Sequence, residues 1–187
     1  MQPLVHCFLV GAVASLGQAL KSCGNPNGTE KKLSFKNCAA SNPLQLKSLS
    51  VLYADGVTDY PFDVSKPIKV RAVTANEGTE TYDAIKLQVE AYHWTRSILG
   101  LWGDCVWRKV FIFPIGVLDA IDHCPSCPLK PGESSKLEVV ENLTWLQPLV
   151  GALARGDTYQ LKVRVFNDNE GSKGEEIGCV QVESKIA

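Results

Sequence analysis

The chain has 187 residues, 45% of them hydrophobic, which suits one globular domain with a real core. Its 19 Lys and Arg stand against 20 Asp and Glu, interspersed along the sequence. No field of one sign draws it to nucleic acid or to an anionic membrane, so nucleic-acid binding is set aside first.

In chain order, Leu4 to Leu16 is apolar apart from His6 and Ser15, and the small residues Gly17 and Ala19 follow. That is the pattern of a secretory signal peptide, and residues 1–19 are assigned to it, with cleavage after Ala19. Setting Cys7 aside with the signal leaves Cys23, Cys38, Cys105, Cys124, Cys127 and Cys179, an even set that reads as three disulfides in an exported chain. Spacing alone does not choose among the pairings. Asn27-Gly28-Thr29 and Asn142-Leu143-Thr144 fit the glycan acceptor pattern, which makes Asn27 and Asn142 candidate glycosylation sites.

Residues 20–32 are polar and rich in Gly and Asn, an extended lead-in tethered by Cys23. A domain from 33 to 187 follows. Leu33-Ser34-Phe35-Lys36-Asn37-Cys38 alternates like an edge strand; Leu44, Leu46, Leu49, Val51 and Tyr53 mark the next strand, with a slip between Leu46 and Leu49 that predicts a bulge. Asp55-Gly56 turns the chain toward a strand over Ile68 to Val73. Ile85, Leu87, Val89 and Ala91 then alternate with Lys86, Gln88 and Glu90, the cleanest period of two in the sequence.

From Tyr92 to Trp107 the composition is aromatic and broken by Gly100 and Gly103, which predicts a loop or hairpin tip. Gly116 to Asp122 is expected to form a short helical turn. Strands follow over Leu137 to Val140, over Tyr159 to Val165 with Leu161 and Val163 in phase, and over Ile177 to Val182. About seven or eight strands with turn signals between them predict an all-β, immunoglobulin-like sandwich of two antiparallel sheets.

Catalysis finds little support. His93 and His123 sit in no nucleophile motif. Cys124-Pro125-Ser126-Cys127 has the spacing of a thiol exchanger, but Pro128 argues against the helix that motif needs, so a structural disulfide is the better reading. No second metal-ligand pair completes a zinc set, and no metal or cofactor is expected. Glu138 and Glu141 have no partner pattern and read as a solvated face.

The apolar stretch Val110-Phe111-Ile112-Phe113 between Cys105 and Cys124 is too short to span a bilayer, which takes about 20 apolar residues. Apolar residues also exceed what a sandwich core needs in two predicted loops: Leu99, Leu101 and Trp102 in one, Trp145, Leu146, Leu149 and Val150 in the other, with Leu153 beyond it. These either fold back as a satellite core or form a rim that contacts lipid, where Trp is favoured because one edge is apolar and the other polar.

Ser34-Phe35-Lys36-Asn37-Cys38 near the mature start, Cys127-Pro128-Leu129-Lys130-Pro131-Gly132 before a late strand, and Ile177-Gly178-Cys179-Val180 near the end resemble the landmarks of the ML lipid-recognition domain family. The resemblance runs from about Leu33 to Ile186 and is nearest to its ganglioside-activator (sphingolipid-activator) branch, with Cys23 as an addition and fewer middle cysteines. It implies a sandwich opened into a lipid-binding cup, with acyl chains between the sheets and apolar loops at the mouth. It also implies a Cys38–Cys179 bridge. Cys105 is then expected to pair with Cys124 or Cys127, and Cys23 with whichever remains.

Under that resemblance the alternation of Val51, Tyr53, Val70, Ile85, Leu87, Val89, Leu161, Val163 and Val165 would line the cavity; each of them alone is equally at home in a plain core. The expected function is non-enzymatic: extraction of a glycolipid, phospholipid or sterol from membranes, as an activator of lysosomal glycolipid degradation. The partners are a lipid ligand, a transient membrane surface and a lysosomal glycosidase, and the location is the secretory pathway, lysosomal or extracellular. The alternatives are a secreted innate-immune lipid sensor and an extracellular structural or adhesion domain with a filled core.

Overall fold

A computed structural model describes residues 23–53, 55–57, 59–63, 66–97, 104–110, 118–120, 124, 126–141, 156–172 and 174–187. Residues 1–19, the expected signal peptide, together with Asn142, His123 and both predicted mouth loops, lie outside them. The regular structure of the described part is nearly all strand: β1 Ser34–Asn37, β2 Leu44–Tyr53, β3 Ile68–Asn76, β4 Ile85–Arg96, β5 Cys105–Lys109, β6 Leu118–Ala120, β7 Ser134–Glu141, β8 Thr158–Asn167 and β9 Glu176–Lys185. One 3-10 turn, Pro26–Gly28, precedes them, and among the described residues no helix is long and apolar enough to cross a membrane.

The hydrogen-bonded order is β5-β4-β8-β9-β2-β3-β7, with β1 added to β9 and β6 to β4. All pairings between these strands are antiparallel except β2 with β9, which is parallel and consists of one residue pair, Leu44 with Gly178; outside them Phe62 forms an isolated parallel bridge with Ile186. A mixed all-β sheet results, and it falls into two antiparallel halves, β5-β4-β8-β9-β1 and β2-β3-β7, joined at that pair.

Two local expectations are corrected. Leu118–Ala120, placed in a helical turn, is a strand on β4, opposite Val89 to Leu87. The edge of β4 offers unpaired backbone groups there, and satisfying them outweighs weak local helix propensity. The aromatic passage is not all loop: β4 continues through Trp94 to Arg96, and Trp94 stands opposite Trp107 of β5 with ring centroids 5.1 Å apart. Cross-strand aromatic pairs stabilise a ladder, so Trp in this passage extends a hairpin.

The expected bulge falls between Leu46 and Ser48, where the β2–β3 register slips by one and Lys47 is the extra residue. As a result Leu44, Leu46, Leu49, Val51 and Tyr53 share a face with Ile68, Val70 and Ala72. The other face carries Ser48, Ser50, Lys69 and Arg71; Glu138 of β7 accepts from Arg71 Nε at 2.6 Å and from Lys69 Nζ at 3.0 Å.

In the other half, three apolar rows cross from strand to strand: Ala91, Leu161, Val182 and Phe35; Val89, Val163 and Val180; Leu87, Val165 and Gly178. The buried core lies at one end of both halves. Leu44, Tyr82, Leu129 and Ile177 form it, with Ile85, Cys127 and Val165 packed against them. Leu44 belongs to the apolar face of β2 while Ile85 and Val165 belong to that of β4 and β8, so the two apolar faces meet at this cluster. Asn76 closes the end: its Nδ2 donates to the carbonyls of Glu80 and Leu129, and its Oδ1 accepts from Gly78 N. Asn169 does the same for the next loop, accepting from Asp83 N and Ala84 N and donating to Thr81 O.

The disulfides are Cys23–Cys105, Cys38–Cys179 and Cys124–Cys127. Cys38 and Cys179 are joined as the resemblance implied, beside the seam where Asn37 and Leu46 exchange side-chain to backbone bonds of 3.1 and 2.9 Å. Cys105, however, pairs with Cys23 and not with Cys124 or Cys127. The lead-in is the reason, because it lies as a strap on the polar face of β4-β8-β9 and brings Cys23 to β5. Trp94 Nε1 donates to Gly24 O at 2.8 Å, Thr158 Oγ1 to Asn25 Oδ1 at 2.8 Å, and Asn27 Nδ2 to Glu183 Oε2 at 2.6 Å. Thr29 is fully buried beneath Tyr60, whose hydroxyl donates to its carbonyl.

Candidate functional site

A strand places every second side chain on one face, so the sequence pattern decides which side of each half is apolar. Val51 and Val70 stand opposite one another on the β2–β3 face and are half-buried. Leu87, Val89 and Val163 are half-buried on the β4–β8 face, and Leu161 is 44% exposed in its last apolar row. Val106 of β5, opposite Thr95, is 39% exposed on that same face. Leu161 thus remains open to solvent in the last of the apolar rows, while Val106 lies beyond the row of Arg108, His93 and Tyr159; among the described residues the core cluster occupies one end.

The remaining candidate wall residues are engaged in packing. Ile85 and Val165 pack against the core cluster. Tyr53 is buried; its hydroxyl accepts from Asp63 N at 2.7 Å and Lys66 Nζ lies 5.0 Å above its ring. These bonds fasten the connection between β2 and β3. A depression of about 400 Å³ lies there, lined by Tyr53, Asp55, Val57, Asp59, Lys66 and Pro67, and its charged lining suits water better than hydrocarbon. The predicted mouth residues Leu99, Leu101, Trp102, Trp145, Leu146, Leu149 and Val150 lie outside the described residues.

Sequence reasoning missed several members of the apolar surface. Phe35, Val180 and Val182 belong to it through the β1–β9 and β8–β9 registers, and a period of two in each short segment was the available signal. Ala91 was in phase but small. Val106 was hidden in the aromatic passage.

At the far end of the surface from the core, the character turns polar. His93 Nε2 lies 2.9 Å from Asp157 Oδ2, and the imidazole is stacked on Tyr159 with centroids 4.8 Å apart. On the reverse face, the hydrogen bond from Lys109 holds the Glu90 carboxyl below its ordinary value against the opposing effect of burial, and Tyr92 adds a second bond to it. Lys109 is raised in turn by Glu90. Among the described residues no group of three or more His, Cys, Asp or Glu side chains is placed to hold a metal ion.

No protein-family model matches the chain, and no curated protein does. Among solved structures, the chain is similar to a Bordetella pertussis chain assigned as an ApaA protein, at 11% identity over 78% of this chain and 96% of that one, with a TM-score of 0.34. So slight a likeness says nothing of what this chain does.

Proposed function

We propose that this protein is a non-enzymatic lipid carrier of the ML type, a sandwich opened into a cup that takes the hydrocarbon of a glycolipid, phospholipid or sterol between its two apolar faces. The observation that carries the reading is the exposure of Leu161 at the end of three apolar rows on this face. A filled sandwich would bury a Leu on its apolar face, and leaving it open costs free energy unless something apolar comes to cover it. Each methylene of a bound chain taken out of water contributes about 0.8 kcal/mol, so hydrocarbon alone supplies useful affinity.

Leu99, Leu101, Trp102, Trp145, Leu146, Leu149 and Val150 would touch the bilayer and let lipid pass without crossing water. Three disulfides favour an oxidising compartment, which fits a secreted or lysosomal carrier bearing glycans at Asn27 and Asn142 and serving a lysosomal glycosidase in glycolipid breakdown. Native mass spectrometry of protein made in a eukaryotic secretory host, with extraction and identification of any released mass, tests the reading. A co-purifying lipid is the expected result. A mass that stays free of ligand after incubation with mixed-lipid vesicles would overturn it.

A further inference from the structure

The row that ends the apolar surface is Arg108 of β5, His93 of β4 and Tyr159 of β8, side by side in register. Ala91 and Leu161 begin the apolar rows directly beside it. Arg108 is half-buried, and its guanidinium has no hydrogen bond or ion pair with any described residue. Its neighbour Lys109, on the reverse face, is by contrast bound to Glu90. A half-buried guanidinium with no partner among the described residues, at the end of an apolar surface, is costly, and its planar fork of donors matches the oxygens of an oxyanion.

His93 narrows the chemistry. Asp157 takes the Nε2 hydrogen of the ring, and the stack on Tyr159 fixes its plane. In the neutral ring, the hydrogen bond at Nε2 leaves Nδ1 as an acceptor. A carboxylate ligand has no hydrogen to give it. A phosphate monoester in its monoanionic form has one P–OH for Nδ1 and two oxygens sharing one negative charge for the Arg108 fork.

We propose that Arg108 and His93 form a phosphate-monoester subsite, with the hydrocarbon of an amphiphilic ligand running from it along Ala91, Leu161, Val89 and Val163. Asp157 and Tyr159 are positioning residues for His93. From His93 to Leu87, short of the packed core, the face spans about 20 Å at ordinary strand rise, long enough for an extended acyl chain. The subsite rests on the carrier reading above, while the phosphate chemistry stands apart from it.

The test offers the full mature protein phosphatidylcholine vesicles doped with phosphatidic acid or with diacylglycerol of the same acyl chains, and measures equilibrium extraction of each. The wild type is expected to extract phosphatidic acid about tenfold better. Arg108→Gln should remove that preference and leave diacylglycerol extraction unchanged, Arg108→Lys should retain part of it, and His93→Gln should weaken phosphatidic acid alone. Equal extraction of the two lipids by the wild type, or an equal drop for both in Arg108→Gln, overturns the subsite and leaves the carrier standing. Inorganic phosphate separates the sources. If neither lipid is extracted, yet phosphate raises the melting temperature of the wild type and not of Arg108→Gln, the subsite holds for free phosphate and the carrier reading fails. No extraction and no effect of phosphate sinks both.

Discussion

Among the described residues, Leu44 and Gly178 are the one pair in register between β2 and β9, where the β2-β3-β7 half joins the rest of the sheet. A Cβ on Gly178 would meet Leu44 Cβ at 3.1 Å, Leu44 O at 3.3 Å and Val165 Cβ at 3.4 Å. Gly178→Val should therefore force the two halves apart at the core end and lower stability by about 1–3 kcal/mol, with Gly178→Ala costing less. Midpoints of urea unfolding measure both, and an unchanged midpoint for the Val variant would show the seam to be looser than these distances.

The three disulfides should differ in worth because their loops differ in length. Cys38 and Cys179 are 141 residues apart, Cys23 and Cys105 82, Cys124 and Cys127 only 3. Chain entropy gives about 5 kcal/mol for the first, slightly less for the second and about 2 kcal/mol for the third. Paired Cys→Ala variants should lose stability in that order. Peptide mapping of the unreduced protein should recover Cys23 linked to Cys105.

How much of this was legible beforehand depended on the reach of each interaction. The alternation of Ile85 to Ala91 and the slip between Leu46 and Leu49 are local, and strand and bulge followed from them. The Cys105 partner was not local: it depends on a strap that crosses the sheet through Trp94, Thr158 and Glu183, and no spacing encodes that path. The apolar surface was half legible for the same reason. Leu161 and Val163 announced themselves by phase, whereas Arg108 and Asp157 join His93 only through strand register.

Asn27 donates from Nδ2 to the buried carboxylate of Glu183, which also accepts from Gln160 Nε2 at 2.9 Å. Asn27→Asp would set two carboxylates against each other and remove a donor, for a loss of about 1–3 kcal/mol. Adding Glu183→Gln should recover much of it, since the amide restores a donor. A double-mutant cycle read by thermal unfolding makes the comparison.

Acid should weaken the fold partly through Glu90. Its folded carboxyl lies below the ordinary 4.5, chiefly because Lys109 hydrogen-bonds the charged form. A depressed carboxyl stabilises the fold above the unfolded value and stops doing so as pH falls through the folded one. Glu90→Gln should flatten the decline of stability below pH 4.5. A decline as steep as that of the wild type would assign the acid sensitivity elsewhere.

Exposure separates surface from core on the apolar faces. Leu161→Asn, at a position 44% exposed, should change stability by no more than about 0.5 kcal/mol while reducing lipid extraction. Ile177→Ala, at a fully buried position, should cost about 2–5 kcal/mol. Chemical unfolding alongside vesicle extraction for both variants distinguishes a binding surface from an ordinary core.

Lys47 makes the parity of β2 a matter of a single residue. With it, Leu44 and Leu46 before the bulge and Leu49, Val51 and Tyr53 after it point the same way. Removing it would turn one of these groups outward without altering composition, length class or hydropathy by any noticeable amount. A gap at this position in an alignment of related chains would therefore mark a strand whose pattern of apolar residues must also have moved by one, and a chain showing the gap without the move would have lost one wall of its interior.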